Sequence, residues 1–536
     1  MSSLLVYNGL IVDGSGSSGF NGDVLIENDR IVDIGKNLNR DADRKIDAKR
    51  RVVCPGFFDM HSHSEYSLLV DGEGISKVHQ GITTEVTGES TSPAPLKGLA
   101  LTETKLRLRQ FGIEPTWKTL GEYFQNVEES GISVNLVSYV GHSTVRQCVF
   151  GNEQRSPTDT ELREMKRLIV EAMDDGAFGL SSSLSHPPGN YADTHEFTEL
   201  CKEVASRSGI YTRHLRDEGD HILEAVQDLI EVGRASMCPI EIFHLKVAGE
   251  RNWHVLTPKV LSTIEEARSE GVDITASQYP YEYGSASLAN CMPYWSRQGG
   301  TGEMVKRLRD QGTRERIKEE LESGWPGSWF KETSGGWEGV VVSTVVTDRN
   351  RKMQGKSIAE IGRMRGVAPV DAYFDLLVDE GGTVTSMYHW MSPEDISTIM
   401  QRPWVSFCTD GYAVSPEGLL GKDHPHPRYY GTFPRILGRY VRQRNLLTLE
   451  EAIRKATSQG ASRLGIYDRG LIKGGLYADI LIFDPDTVID TATYQNPHQL
   501  PVGIDYVIVN GRIVVAKGRH TGSRPGRVLR SYQRSK

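Results

Sequence analysis

The segment GFFDMHSHSEY, residues 56–66, ends an apolar run in His61-Ser62-His63. Alternate residues of a strand point to the same side, so these two imidazoles can face one space and grip one metal ion from one wall. An isolated pair of this kind is as readily two surface or hydrogen-bonded histidines. Two more histidines change the balance, because His214 in IYTRHLRDEG and His244 in IEIFHLKVAG each close an apolar run. A single strand-end histidine is usually a hydrogen-bonded core residue; two of them beside the first pair make a ligand set. Asp410, in VSFCTDG, is the last member. Alone it reads as a turn aspartate. Beside a metal it serves as ligand and as the general base and acid that takes a proton from water and hands it to a leaving nitrogen.

These residues are far apart in sequence and need a frame that gathers strand ends. The first fifty residues alternate short β-like runs (4–7, 10–13, 23–27 and 30–34) with Asn-Gly, Gly-Ser and Asn-Asp turns, which describes a small sheet. From Cys54 onward, apolar runs are followed by long amphipathic segments, as in βα units around a parallel sheet. Residues 132–140 form a strand-length run ending in Gly141 and His142. The crossing helix is expected to begin at Thr158, where Thr158 and Glu161 have capping-box spacing. Leu162, Met165, Leu168, Ile169 and Ala172 share its apolar face, and Asp174-Asp175-Gly176 ends it. Further β segments at 177–181, 209–214, 239–244, 272–277 and 404–408 tend to end in polar, reactive side chains. A (β/α)8 barrel puts such ends at one mouth.

Residues 288–344 are rich in Gly, Trp and charge and too long for a plain loop, so an inserted lid is expected there. After about Leu464 the β texture returns, at 478–483, 506–509 and 512–515. The domain reading is an α/β barrel over 55–464, with residues 1–54 and 465–536 pairing into one β-sandwich beside it.

With 536 residues, the chain exceeds one ordinary compact core, which favours a large domain with a smaller companion. Hydrophobic residues at 38% and charged residues at 25% are the balance of a folded soluble protein. A formal net charge of -8 and a pI near 6.1 offer no general attraction to nucleic acid or an anionic membrane, both of which need clustered Lys and Arg. The opening MSSLLVYNGLIVDG has no basic leader, and no run reaches the roughly 18 apolar residues of a membrane helix. A cytoplasmic protein acting on small molecules is expected. The six cysteines (Cys54, Cys148, Cys201, Cys238, Cys291 and Cys408) contain no CxxC pair, against a disulfide framework or a cysteine-rich zinc site.

The histidine pair after the first strand, the later single histidines and the late Thr-Asp-Gly resemble the amidohydrolase superfamily. Within it, the chain resembles the N-acyl-D-amino acid deacylases (D-aminoacylases) over nearly its full length. The motifs are GFFDMHSHSEY, VGHSTVR (140–146), FGLSSSLSHPPG (178–189), HLRDEG (214–219), HLK (244–246), YPYEYGS (279–285), HPRYYGTFPR (426–435) and HTGSRPGRVLR (520–530). The resemblance implies a distorted (β/α)8 TIM barrel, a small β-sandwich built from both chain ends and an inserted lid. It also implies hydrolysis of an N-acyl-D-amino acid to a carboxylic acid and a D-amino acid, with one or two Zn²⁺ ions. His61 and His63 would hold one ion with Asp410, while His214 and His244 would hold the other.

The family places a cysteine after the second strand, in a Gly-Asn-Cys-Gly motif, and this sequence departs from it. Here ITTEVTGESTSPAP, residues 82–95, has no cysteine. Ser90 falls nearest, but a neutral hydroxyl is a poor zinc ligand, whereas the Glu89 carboxylate is a good one and can bridge two ions. The alternative is that Glu89 is a loop or supporting residue beside a single ion. For the substrate carboxylate the resemblance implies Lys246, Tyr279, Ser285 and Arg428, with Tyr281 a competitor for the tyrosine's place. The loop from Asp410 to Arg428 is longer than the family's.

Ser181-Ser182-Ser183 lacks a GxSxG elbow, and GSGSSG (14–19) lacks the strand-to-helix setting of a nucleotide loop. His142 and Arg146 read as supporting residues. The rival readings are a cyclic-amide hydrolase (dihydropyrimidinase or dihydroorotase type), an isoaspartyl dipeptidase, or a barrel without catalysis that serves as a scaffold. The two enzyme rivals normally bridge metals with a carboxylated lysine, and no strand-end lysine is suitably placed. The sequence leaves open the acyl group, the side-chain preference and the oligomeric state, a homo-oligomer included.

Overall fold

The structure is a computed structural model that describes residues 3–38, 40–324 and 328–531. Eight parallel strands make its frame and are labelled here in chain order. They are β1 (Phe57–Asp59), β2 (Ile82–Thr87), β3 (Asn135–Ser138, continued by Val140–Gly141), β4 (Gly179–Ser183), β5 (Ile210–His214), β6 (Ile240–Ile242), β7 (Ile274–Gln278) and β8 (Val405–Phe407). Parallel pairing runs from β1 through β2 to β3, and from the end of β3 through β4, β5, β6 and β7 to β8. Two hydrogen bonds join these arcs: Phe178 N donates to Ser138 O at 3.0 Å, and Met60 N to Phe407 O at 3.2 Å. Ser62 and Gly411 add a parallel bridge beyond the second seam. The strands therefore close into a ring, which explains why they read as continuous apolar runs: helices cover the outside and side chains fill the inside.

The helix Asp159–Asp174 shows how the sequence places its covering layer. Thr158 and Glu161 form a reciprocal capping box; Met165, Leu168, Ile169 and Ala172 are buried, and Leu162 packs half-buried against them. The strand before it is shorter than the run 132–140, because Ile132 O accepts from Gly526 N, at 2.7 Å, instead of pairing within the barrel. The same C-terminal segment continues along β3, where Leu136 N donates to Arg527 O and Leu529 N to Leu136 O. It ends with Ser531 N on Gly176 O. It thus fills the edge of β3 that β4 leaves uncovered.

Strands from both ends of the chain share one nine-stranded sheet, in which Val52–Pro55 pairs antiparallel with Ile480–Phe483. Period-two alternation divides this seam between two cores. Val53, Ile480 and Ile482 join a small core with Leu4, Val6, Val24 and Ile508, whereas Val52, Cys54, Leu481 and Phe483 join the barrel core. The runs 4–7 and 10–13 are not separate strands: Ser3–Ile11 is continuous, with a bulge between Val6 and Gly9.

The excursion between β7 and β8 is larger than the expected 288–344. Its three-stranded antiparallel sheet comprises Tyr283–Ser287, Val340–Val345 and Val384–His389, and the last of these lies between the other two. The middle strand comes from far downstream, so the cap must extend to it. No helix among the described residues is long and apolar enough to cross a membrane.

The C-terminal segment against β3 makes four backbone hydrogen bonds to the barrel and buries Val528 and Leu529. A chain ended at Gly518 is expected to lose at least about 3 kcal/mol of stability, read as a lower urea midpoint. An unchanged midpoint would contradict this account of the seam.

Candidate metal centre

β1 runs directly into His61 and His63. The His61 ring stacks on Phe243, with centroids 4.0 Å apart, and is 4.9 Å from the His63 ring. After β2 the chain turns sharply at Gly88, whose φ is +97° and where a Cβ would meet Tyr139 O at 2.4 Å, so only glycine fits. That turn delivers Glu89 into the mouth of the ring. Its Oε2 lies 2.8 Å from His61 Nε2 and 3.4 Å from His63 Nε2, while Oε1 lies 3.1 Å from Nδ1 of His214, the last residue of β5. His244 follows β6 with φ +38°, and its Nε2 is 3.1 Å from His214 Nδ1.

Asp410 follows β8 with φ +48°. Its Oδ1 lies 3.0 Å from His63 Nε2 and 4.0 Å from His61 Nε2, and its Oδ2 is 3.0 Å from Arg428 Nη2. Left-handed backbone at two non-glycine residues of one site is a strain held by the surroundings.

All five strand-end residues singled out by sequence therefore meet at one mouth, with Glu89 among them. Ser90 does not compete for the place: its hydroxyl pairs with Ser143 Oγ at 2.7 Å and its amide donates to Ser181 Oγ. His61, Glu89, His244 and Asp410 each offer an atom within 4.8 Å of the others, and His214, Glu218 and His244 form a second such group. Ligand atoms around a tetrahedral zinc ion stand about 3.3 Å apart, close to the spacings seen here.

The electrostatics fit a cation. Burial pushes the Glu89 carboxyl up, but His61 and His214 outweigh it and hold the group well below the usual carboxylate range. Burial likewise opposes Asp410, and Arg428 first, then His244 and His63, hold it well below. Burial lowers His63, yet the hydrogen bond to Asp410 and the charges of Glu89 and Asp410 raise it to about 9. The ionised carboxylates of Glu89 and Asp410 thus favour positive charge beside His63.

Glu218 is the member that sequence reasoning missed. It lies four residues after His214 in a loop, beside an equally acidic Asp217, and nothing in the spacing separates the two. Its Oε1 is 3.2 Å from His244 Nδ1 and 2.6 Å from Lys246 Nζ. Lys246 Nζ also lies 2.6 Å from His244 Nδ1 and 5.7 Å from the Tyr279 ring centroid. Arg428 opens the helix Arg428–Arg435, sets its Cζ 4.7 Å from the Tyr279 centroid and donates through Nε to Asp410 O at 2.8 Å, so the longer loop before it does not displace it.

Tyr279 Oη and Arg428 Nη1 are buried without a hydrogen-bond partner among the described residues. Tyr281 is turned elsewhere, under Arg435 and against Pro427 O. Ser285 is not brought in: it pairs with Met387 in the cap sheet, and among the described residues its side chain makes no hydrogen bond to the cluster.

Other sequence candidates have structural employment. Ser181 Oγ bonds Gly88 O and Ser182 Oγ pairs with Tyr211 Oη. His142 and Arg146 share the buried Glu196, at 2.7 and 2.6 Å. His186, from the HPPG segment, was not singled out; it packs beside the cap's Trp329, ring centroids 5.4 Å apart, and is lowered to about 4 by burial and by His214. A separate cavity of about 680 Å³, lined by Ile210, Pro239, Asp273 and Arg463, opens where β5, β6 and β7 begin, at the end of the barrel opposite the cluster.

Comparison with known proteins gives a consistent picture. A family model described as the amidohydrolase family matches residues 335–515. The D-aminoacylase of Alcaligenes xylosoxydans xylosoxydans is 32% identical over 527 residues, covering 98% of this chain and 97% of the relative. The N-acyl-D-glutamate deacylase of the same organism is 32% identical over 531 residues, covering 98% and 96%. The crystal structure of the N-acyl-D-glutamate deacylase of Bordetella bronchiseptica, complexed with zinc and a phosphonate inhibitor that mimics the tetrahedral intermediate, superposes with a TM-score of 0.80 at 28% identity. It covers 98% of this chain and 99% of that one.

The cluster predicts a thermal signature. Adding Zn²⁺ to metal-stripped protein at one hundred times its dissociation constant should stabilise the fold by about 2.7 kcal/mol, raising Tm. His63→Ala should remove most of the rise. An equal rise in the variant would place the ion elsewhere.

Proposed function

This chain belongs to the N-acyl-D-amino acid deacylase (D-aminoacylase) family of amidohydrolases, and from that premise we propose that it hydrolyses the amide bond of N-acyl-D-amino acids, releasing a carboxylic acid and a D-amino acid. In this reading His61, His63 and Asp410 would hold one zinc ion and His214 and His244 a second, and Glu89, which lies against His61, His63 and His214, would be a further ligand. Zinc, when bound, supplies the Lewis acidity that polarises the amide carbonyl and makes the attacking water acidic near neutral pH.

Asp410 carries the proton. Arg428 engages Oδ2, at 3.0 Å, and keeps the group ionised, while Oδ1 faces the histidine pair. An ionised carboxylate in this position takes the proton of the attacking water and returns it to the amide nitrogen as the C–N bond breaks, so the amine leaves neutral. The observation that carries the reading is this carboxylate, fixed between His63 and Arg428 at the mouth of the ring.

Lys246, Tyr279 and Arg428 would take the substrate's α-carboxylate. Two fixed cations and a phenol with a free donor suit a planar anion, and they stand on the same wall as His244 and Asp410. Ser285 joins this set by family resemblance alone. We assign the protein to the cytoplasm, a reading supported by six buried, unpaired cysteines.

Asp410→Asn is expected to lower kcat by about 10³-fold; an active Asn variant would overturn the proton role. A panel of N-acetyl D- and L-amino acids, assayed with and without added zinc, should show turnover of D-substrates only in the zinc-loaded enzyme. No turnover of any D-substrate would refute the assignment. Lys246→Met should raise KM at least about tenfold for N-acetyl-D-amino acids and leave the corresponding amides, which lack the carboxylate, little changed. An equal effect on both would argue against carboxylate recognition.

A further inference from the structure

Beneath the cluster lies a cation that the chemistry above does not use. Lys77, on the short helix Ile75–Val78, has a side chain with no exposed surface. Its Nζ is 2.8 Å from Asp59 Oδ2 on β1 and 2.8 Å from Glu85 Oε1 on β2. It also donates to Thr409 Oγ1 at 2.8 Å, to Gly411 O at 2.9 Å and to Ser62 Oγ at 3.2 Å.

The positions of these partners are the point. Ser62 stands between His61 and His63, and Thr409 and Gly411 flank Asp410 on either side. One ammonium therefore touches the chain between the two histidines and on both sides of the carboxylate. Around it the same two segments are tied again. Ser62 and Ser64 hydroxyls both donate to Glu85 Oε1 at 2.7 Å, Ala413 N donates to Ser64 Oγ, and Thr409 N and Oγ1 donate to the two oxygens of Asp59. The backbone follows suit, with Asp410 N on His61 O at 2.8 Å and His63 N on Gly411 O at 3.1 Å. Asp410 keeps its left-handed φ of +48° inside this knot.

We propose that Lys77 is a positioning residue for the metal, which sets the separation of the His61–His63 pair from Asp410 before any ion arrives. The inference rests on the reading that those three side chains hold zinc. Its logic is that ligand geometry is fixed by what surrounds the ligands, and loosening that shell is felt as lost metal affinity. A purely structural ion pair would behave differently. It would change how readily the protein unfolds and leave the affinity of each folded molecule for zinc as it was.

The test is the zinc dissociation constant, measured by chelator competition on protein shown to be folded by circular dichroism, together with the visible spectrum of the Co²⁺ form. The variant is Lys77→Met combined with Glu85→Gln, which removes the ammonium and one of its two carboxylate partners and so leaves the net charge of the Lys77, Asp59 and Glu85 group unchanged. We expect zinc affinity to fall about 10–100-fold and the Co²⁺ band to shift. Affinity within about twofold of the parent, with an unshifted band, overturns the proposal. If that variant does not fold, Thr409→Val removes the hydroxyl link beside Asp410 at constant shape. Weaker zinc binding there supports the proposal, and parental binding overturns it. His63→Ala is the control that separates the two ideas. If it too binds zinc like the parent, the metal reading itself has failed, whereas a weakened His63→Ala beside an unchanged Lys77 variant removes only the positioning role.

Discussion

Three carboxylates and four imidazoles share the mouth of the ring, and the balance of their charges is the condition that the surrounding structure meets. A buried carboxylate without a counter-charge costs several kcal/mol. Asp410 has Arg428 and Glu218 has Lys246, each at hydrogen-bond distance. Among the described residues Glu89 is met by His61, His63 and His214, and His61 and His214 hold its carboxyl well below the usual range.

The fold supplies this arrangement through short strands and abrupt turns. β1, β6 and β8 are each three residues long, so their functional side chains lie just past the hydrogen-bonded ladder, where the backbone is free to adopt the unusual angles of His244 and Asp410. Gly88 does the same for Glu89 by letting the chain pass close to Tyr139 O. The covering elements then supply the fixed cations. Lys246 follows β6 directly, and Arg428 arrives on the first turn of a helix that comes after a long loop. Rigidity beneath and strain at the rim coexist because the knot around Lys77 and Asp59 anchors the turn that carries Asp410.

Much of this was legible in the sequence, for physical reasons. Apolar runs ending in histidine identify strand ends, and two residues of spacing identify a shared face, so His61, His63, His214, His244 and Asp410 could be gathered before any coordinates. The helix Asp159–Asp174 was equally plain, since its cap and its apolar stripe are both local. Glu218 was not legible because it sits in a loop where no periodicity orients a side chain. Lys77 was hidden more deeply, as an isolated lysine on a four-residue helix has no pattern that marks it as buried. The cap was underestimated for a different reason: strand order in an antiparallel sheet is a tertiary fact, and its middle strand comes from about forty residues beyond the expected limit. Ser285 was chosen by likeness to relatives and lies on that same sheet, so its distance from the cluster depends on how the cap packs.

The strand Ile480–Phe483 sends alternate side chains into two different interiors, Ile480 and Ile482 to one and Leu481 and Phe483 to the other. A shared wall of this kind makes the two bodies one thermodynamic unit, since neither interior can be exposed without stripping a face from the other. It also forbids sliding: a slip of one residue would exchange the two sets wholesale and misfit both volumes at once. The terminal sheet is accordingly less an appendage than the keel on which the barrel is laid.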